Sequence, residues 1–183
     1  MEIMVAGKIL RGADNNSFMH ETYPHCCKTC GYPVKQEVNP GFRLKQKRYD
    51  VSYTYDGYLI VSEKFKNYCT DMNFKNIVFE ELPMEPGFYV VTVHKIITLN
   101  YTKREVKFID KCDECGRYAE VIGATPSFID DESELKDSEF YRSDMDFGSY
   151  ERKSPLIIMN NNLANKITIK RFKGLYLKNV LKS

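Results

Sequence analysis

Two cysteine pairs offer the clearest chemistry in this chain. Each pair has the form Cys-x-x-Cys-Gly, since residues 27–31 read CKTCG and residues 112–116 read CDECG. Two intervening residues let both sulfurs of a pair approach one ion, and the glycine can take the positive φ that turns backbone N–H groups toward them. The pattern predicts a closed, structural zinc site with four ligands: Cys27, Cys30, Cys112 and Cys115.

The two pairs are far apart for a zinc site. Residues 31–111, 81 in all, separate them, whereas compact zinc modules have roughly 15–20 residues at this point. Because loop-closure entropy grows as the logarithm of length, the longer loop costs about 1.5 kcal/mol extra. Binding a structural zinc contributes about 10–16 kcal/mol. We therefore expect the pairs to lie at opposite ends of a folded insert.

Three other interpretations of the cysteines stay open. A disulfide framework needs an oxidising compartment, but the chain opens MEIM without a basic n-region and an apolar h-region, so we expect a cytoplasmic location. A redox pair fits two glycine-terminated copies less well than a shared ion does. Iron takes the same four thiolates as zinc. The register is open too, because Cys26 or His25 could replace a ligand of the first pair.

The rest of the chain shows no catalytic motif. His20, His25 and His94 have neither H-x-x-H nor H-E-x-x-H spacing, and no phosphate-binding glycine loop or G-x-S-x-G elbow is present. We therefore expect no catalytic residues and no enzymatic activity. The net charge of +2 argues neither for nor against a nucleic-acid partner. No apolar run approaches the roughly 20 residues of a membrane span, so no membrane partner is expected.

An internal repeat covers two 25-residue segments, 58–82 and 156–180, at a constant offset of 98. Each copy predicts a strand, a helix that begins after a capping Ser62 or Asn160, a turn at Asn76 or Gly174, and a second strand. Cys69 takes the place of an isoleucine, so it is interpreted as a core residue. Coinciding apolar positions include Ile60 with Ile158, Phe65 with Leu163, Phe74 with Phe172 and Leu82 with Val180.

The order of motifs predicts two related halves, residues 1–87 and 88–183, within a single domain. Each half contains one cysteine pair followed by one copy of the repeat. Residues 88–93 (FYVVTV) and 96–99 (IITL) are β-branched and aromatic, and predict strands of a central sheet. The expected fold class is α+β, with two strand-helix-strand units around a mainly antiparallel sheet, joined by a zinc-ribbon-like four-cysteine site.

An acidic tract spans residues 130–146 and contains eight carboxylates against one lysine and one arginine. It is either a solvated loop or a docking surface for a basic partner. Phe140, Tyr141 and Phe147 could supply aromatic anchors there. The predicted partner-binding residues are Asp130, Asp131, Glu132, Glu134, Asp137, Glu139, Tyr141, Asp144 and Asp146.

A basic stretch follows the first cysteine pair and supports an alternative function. Basic residues interleaved with aromatics suit a surface for single-stranded nucleic acid, which makes a zinc-ribbon nucleic-acid-binding adaptor the second hypothesis. The same alternation fits a half-exposed strand. The residues are Arg43, Lys45, Lys47 and Arg48, then Tyr49, Tyr53, Tyr55 and Tyr58.

Four segments together resemble one family. They are the two Cys-x-x-Cys-Gly motifs, residues 140–144 (FYRSD) and the unit from 155–158 (PLII) to 173–175 (KGL). In these the chain resembles the double-CxxCG immunity proteins encoded beside bacterial contact-dependent or polymorphic toxins. The resemblance implies a non-enzymatic cytoplasmic protein that neutralises one cognate toxin by binding it. The extra Cys26 and the run of three asparagines at 160–162 depart from that pattern.

Overall fold

The computed structural model describes residues 4–183, which form thirteen strands and three α-helices, with a 3₁₀ turn at Glu132–Glu134. None of the helices in this range is long and apolar enough to cross a membrane. The helices are α1 (Glu63–Asp71), α2 (Tyr101–Arg104) and α3 (Asn161–Ile169). The strands are β1 (Val5–Arg11), β2 (Ala13–Asp14), β3 (Val51–Tyr53), β4 (Leu59–Ser62), β5 (Ile77–Glu81), β6 (Phe88–Val93), β7 (Ile96–Ile97), β8 (Lys107–Lys111), β9 (Tyr118–Ile122), β10 (Ser127–Ile129), β11 (Tyr141–Ser149), β12 (Ser154–Asn160) and β13 (Tyr176–Lys182).

The described strands form two sheets. One has eight strands in the order β10-β13-β1-β12-β11-β9-β8, with β7 also paired to β11, and the other has five strands in the order β2-β3-β4-β6-β5. Neighbours are antiparallel except for β10 with β13, β7 with β11 and β2 with β3. The predicted α+β class with mainly antiparallel sheets is therefore confirmed.

The two longer helices begin at the predicted caps. The Ser62 hydroxyl accepts a hydrogen bond from the Phe65 N–H, and the Asn160 side-chain oxygen accepts one from the Leu163 N–H. Each cap satisfies an N–H group that has no partner within the helix. Cys69 is 1% exposed, and burial raises the pKa of its thiol to about 12. Its interpretation as a core residue is confirmed.

The same strand pairing surrounds α1 and α3. Helix α1 joins β4 to β5, and these two strands flank β6, each antiparallel to it. Helix α3 joins β12 to β13, which flank β1 in the same way. Val91 of β6 lies opposite Leu59 and Phe79. Leu10 of β1 lies opposite Ile157 and Leu177, which are 98 positions after Leu59 and Phe79 respectively. We call β4-α1-β5 the first helical unit and β12-α3-β13 the second. The central strand of each unit comes from the other predicted half, since β6 lies in the first unit and β1 in the second.

The largest core lies where α1, α3 and the two sheets meet. The rings of Phe65 and Phe172 pack edge to face with their centroids 4.9 Å apart. The Tyr68 hydroxyl on α1 donates to the Lys166 carbonyl on α3 at 2.9 Å. Separate clusters fill the opposite face of each sheet. Helices α1 and α3 are therefore packed against each other in one core.

A short joint ties the turn before β13 to the five-stranded sheet. The Lys173 carbonyl accepts the N–H groups of Asp50 and Val51 at 2.8 and 3.1 Å, and the Asp50 carboxylate accepts the Lys173 N–H at 2.8 Å. Gly174 has φ +85°, and Asn76 takes the corresponding position in the first copy with φ 64°. The turns predicted at these two positions are confirmed.

Candidate metal centre

The four cysteines of the two motifs lie together, with all four Sγ atoms within 4.8 Å of one another. The Sγ–Sγ distance is 3.9 Å between Cys27 and Cys112, and 3.7 Å between Cys30 and Cys115. Thiolates arranged tetrahedrally about 2.3 Å from one ion stand about 3.8 Å apart. The cluster could therefore hold one metal ion.

The two motifs fold in the same way. The Gly31 N–H donates to the Cys27 carbonyl at 2.9 Å, and the Gly116 N–H donates to the Cys112 carbonyl at 2.8 Å. The N–H of the first cysteine in each motif donates to the carbonyl five positions later. The glycines have φ of +74° and +70°, and a Cβ on either would meet nothing within 4 Å. Glycine is therefore required here for its backbone conformation and not for space.

Different elements carry the two motifs to one place. The second motif is the turn between β8 and β9, and the first lies within residues 15–50, which connect β2 to β3. The Arg117 guanidinium donates to the Pro33 and Val34 carbonyls at 2.6 and 2.8 Å. The Thr29 hydroxyl donates to the Glu114 carboxylate. These contacts hold the loop against the hairpin turn beside the sulfurs.

The electrostatics of the cluster favour a cation. Hydrogen bonding by the backbone N–H of Cys115, aided by that of Glu114, lowers the pKa of the Cys112 thiol to about 7. At Cys30 the Tyr32 N–H lowers the pKa, but desolvation and the neighbouring thiols outweigh it and raise the value to about 12. Four adjacent sulfurs cannot all ionise without a counter-charge. A divalent ion supplies that charge and displaces the remaining thiol protons.

The alternative ligands lie outside the cluster. Cys26 is exposed, and its sulfur lies 3.7 Å from the Tyr23 carbonyl oxygen. His25 pairs with the Glu37 carboxylate at 3.1 Å. The sulfurs that approach across the two motifs are almost twice as far apart as the roughly 2.05 Å of an S–S bond, and the cysteines are free thiols. The ligand set that the structure offers is therefore the one with Cys27.

The acidic tract does not form one continuous surface. Its second half contacts the fold itself: Asp137 accepts the side-chain amides of Asn160 and Asn162, Glu139 pairs with Lys95, Asp144 accepts the Tyr101 hydroxyl, and Asp146 pairs with Arg142. The first half is an exposed turn around residues 130–134. There the Asp131 side chain caps the 3₁₀ turn and Glu132 lies 3.5 Å from Lys182. We call Asp130, Asp131, Glu132 and Glu134 the acidic turn.

The interpretation of Tyr141 as a partner-facing residue is wrong. Its side chain is 2% exposed, and its hydroxyl lies 2.7 Å from the Glu139 carboxylate. Phe140 and Phe147 are buried as well. The reason is that β11 lies inside the eight-stranded sheet, where its alternation directs Tyr141 and Phe147 into one core, while Phe140, just before the strand, lies in the core on the other face. The charged residues near these rings suggested an exposed surface, but they contact other residues of the fold.

The four cations of the basic stretch lie on an exposed loop before β3. The Lys47 ammonium pairs with the Glu85 carboxylate at 2.6 Å, and the Arg48 guanidinium lies over the Tyr49 ring. Of the four tyrosines that follow the cations, only Tyr55 is exposed, and Tyr58 is buried. The structure therefore does not align these cations and aromatics in one row.

Comparison with known proteins does not place the chain in a family. No protein-family model matches the sequence, and no curated protein matches it. The four-cysteine cluster is consequently the feature from which a function is inferred.

Proposed function

We propose that this protein is a cytoplasmic immunity protein that binds one cognate bacterial toxin and neutralises it without catalysis. The observation that carries the proposal is the four-sulfur cluster. Two Cys-x-x-Cys-Gly motifs 85 residues apart contribute to this cluster, and the same two motifs are part of the resemblance to the double-CxxCG immunity proteins. The second support is the capped strand-helix-strand unit at the C-terminal end, which is another part of that resemblance.

The metal is proposed to be zinc in a structural role. Four protein thiolates complete the tetrahedral coordination of zinc and leave no position for a substrate. Cys27 and Cys112 are buried, whereas Cys30 and Cys115 are half-buried, so the cluster is shielded on one side and close to solvent on the other. Iron would fit the same sulfurs and would give a coloured protein.

Metal analysis of protein purified without added ions should find one zinc per chain. Thiol titration should then proceed in three steps, because the cysteines occupy three environments. We expect the exposed Cys26 to react at once, four thiols to react after chelation, and the buried Cys69 to react only on unfolding. Protein without metal, whose Cys27 or Cys30 reacts at once, would contradict the structural site and restore a redox interpretation.

We further propose that the two helical units are related by internal duplication within one domain. The gapless offset of 98, the matching helix caps and the matching strand registers support this. Tyr68 and Lys166, which form the hydrogen bond between α1 and α3, are themselves 98 positions apart. On this proposal the zinc site joins a loop that precedes the first unit to a hairpin that precedes the second.

The immunity function predicts that a toxin-domain protein is encoded beside this gene, and that toxin is the partner for the test. Co-expression should restore growth of cells that produce that toxin, and the two purified proteins should form a complex at physiological salt. A toxin from an unrelated locus is the control and should neither be neutralised nor bound. Failure to form a complex, together with salt-sensitive binding to unrelated oligonucleotides, would favour the nucleic-acid adaptor instead.

The acidic turn is proposed to speed encounter with a basic toxin surface. We expect Glu132→Gln/Glu134→Gln to lower the association rate about 3–10-fold at low salt, with the dissociation rate unchanged, because exposed charges act mainly before contact. Stopped-flow measurement at two salt concentrations checks this. Asp71→Asn/Glu80→Gln removes the same charge from exposed positions in the first half and is the control. Equal rates for the two double variants would refute the role of the turn.

A further inference from the structure

Three exposed tyrosines lie along one side of the described structure. Tyr55, Tyr150 and Tyr176 are 40%, 50% and 49% exposed. Tyr55 and Tyr176 line a groove of about 310 Å³, and Tyr150 lines a neighbouring groove of about 550 Å³. The two grooves adjoin where the Tyr55 ring packs against Phe18, with centroids 5.1 Å apart. Because these residues are distant in the sequence, no local motif predicts that they lie near one another.

The larger groove is walled by aromatic rings and by the first cysteine motif. The rings of Tyr32 and Tyr150 are 5.9 Å apart, and Cys30 and Gly31 line the same groove. We call this the aromatic groove, and its principal lining residues are Phe18, Glu21, Tyr23, Tyr32, Tyr150 and Glu151. Tyrosine is enriched among residues that dominate binding at protein interfaces.

The backbone of Tyr150 holds its ring outward in a disfavoured conformation. Its φ is 53°, in the left-handed region that a bulky side chain rarely adopts. The Tyr150 N–H donates to the Ala119 carbonyl at 2.7 Å, which fixes the turn between β11 and β12. Strain of this kind persists where the surrounding structure imposes it, and it is frequent at binding sites.

The charged groups that line the aromatic groove are acidic. The Glu21 carboxylate has no hydrogen bond or ion pair with any residue in the range 4–183. The closest basic group to Glu151 is the Arg152 side chain, whose Nε is 4.0 Å away. Arg152 lines the smaller groove instead, with its guanidinium over Phe18 at 5.2 Å.

Lys153, the other nearby cation, does not line the aromatic groove either. Its ammonium lies 4.7 Å from the centre of the Tyr32 ring and donates to the carbonyls of Tyr118 and Ala119. Burial lowers the pKa of this lysine, and Arg117 lowers it further. The groove thus combines the exposed Tyr150 ring with two carboxylates: Glu21, which has no internal partner in the range 4–183, and Glu151, which meets Arg152 only at 4.0 Å.

We propose that the aromatic groove binds an arginine or lysine side chain presented by the cognate toxin. A cation over tyrosine rings is attracted by their negative faces, and a guanidinium can at the same time form a forked pair with a carboxylate such as Glu151. This inference rests on the proposed function, which supplies the toxin as partner. The groove provides the anchor that the acidic turn lacks, since that turn has no exposed aromatic residue.

A peptide titration tests the groove without any toxin. The full-length protein as purified, labelled with ¹⁵N, is titrated with acetyl-Gly-Arg-Gly-amide and with the same peptide carrying neutral citrulline in place of arginine. We expect amide shifts at Tyr32, Tyr150 and Glu151 with the arginine peptide, and shifts at least threefold smaller with citrulline. Equal shifts with both peptides, shifts confined to the acidic turn, or no shifts would each overturn the proposal.

Variants separate the groove from the rest of the surface. Tyr150→Ala keeps a side chain at the positive φ and should abolish the arginine-specific shifts, as should Glu151→Gln. Tyr176→Ala removes an equally exposed ring from the smaller groove and should leave them intact. Zinc content and melting temperature confirm that each variant is folded. A folded Tyr150→Ala or Glu151→Gln with undiminished shifts would contradict the proposal.

The cognate toxin then distinguishes the two levels of inference. Tyr150→Ala should weaken the complex at least tenfold, mainly through faster dissociation. Ile169→Ala, at a position 76% exposed on α3, should not. If the parent protein binds the toxin and Tyr150→Ala binds equally well, the groove is refuted and the immunity function stands. If the parent protein binds no toxin, the proposed function fails, whatever the peptide shows.

Discussion

Cys112→Ser is expected to lower the free energy of unfolding by at least about 3 kcal/mol in protein that carries zinc. Cys112 is a buried member of the four-sulfur cluster, and a serine hydroxyl is a poor ligand for zinc at neutral pH. The metal stabilises the folded state because the unfolded chain does not bring the four sulfurs together. Urea unfolding of the parent and the variant, followed by circular dichroism, measures the difference.

Cys26→Ser is the matched control for that experiment. It makes the same chemical change at an exposed sulfur outside the cluster, so the unfolding free energy should stay within about 0.5 kcal/mol of the parent. Chelation should lower the parent to the stability of Cys112→Ser and should change the variant little. A metal-free parent as stable as the loaded protein would show that the cluster has no structural role.

The length of the loop that carries the first motif explains why the effect should be large. Residues 15–50 contain no named strand or helix, and structureless loops longer than about 12–15 residues are uncommon in compact domains. Two buried carboxylates also hold the loop: Asp56 accepts the Met19 and His20 N–H groups, and Glu85 accepts the Leu44 N–H. Removing the metal therefore leaves the part of the loop around the first motif to the weaker contacts of Arg117 and Thr29 with the hairpin.

The sequence predicted those features that depend on a few neighbouring residues. The two cysteine motifs, the capping Ser62 and Asn160, and the turns at Asn76 and Gly174 each follow from local conformational preferences. The proximity of the two motifs required one further step, which was that a single ion needs four sulfurs. Chemistry at short range therefore predicted most of the candidate metal centre.

The features that depend on distant parts of the chain were not predicted. Nothing in the composition of β1 or β6 specifies which sheet each strand joins, because both are apolar strands that fit between two antiparallel neighbours. The acidic neighbours of Tyr141 suggested a surface position. In the fold these acids bind Lys95, Arg142 and other groups of the protein itself, so they do not mark a free surface. The pairing partner, and not the strand itself, decides these outcomes.

The basic stretch shows the same limit from the opposite direction. The alternation in the basic stretch also fits a half-exposed strand. The structure satisfies that alternation with an extended loop, where Phe42 and Leu44 are buried and Lys47 pairs with Glu85. An apolar pattern of period two records which side chains are buried, but it does not require a neighbouring strand.

Gly174→Ala is expected to destabilise the protein by about 2–5 kcal/mol. The residue has φ +85°, and an ideal Cβ would lie 2.4 Å from the Val51 carbonyl oxygen and 3.0 Å from the Tyr49 ring. The left-handed conformation costs a non-glycine residue about 1–2 kcal/mol, and overpacking adds about 1–3 kcal/mol. The clash falls on the joint at Lys173 that ties the second helical unit to the sheet of the first. Urea unfolding of the variant measures the loss.

Gly87→Ala separates the two causes of that loss. Gly87 has φ +83°, but the nearest atom to its Cβ would be 4.0 Å away, so only the conformational cost of about 1–2 kcal/mol applies. The difference between the two variants therefore measures the close approach of the helical units at Gly174. Because the four-sulfur cluster also joins the two predicted halves, zinc bound there should in addition be released to a chelator at a lower urea concentration in Gly174→Ala than in Gly87→Ala. Equal stability of the two variants would show that the joint tolerates a methyl group and that the halves are held together elsewhere.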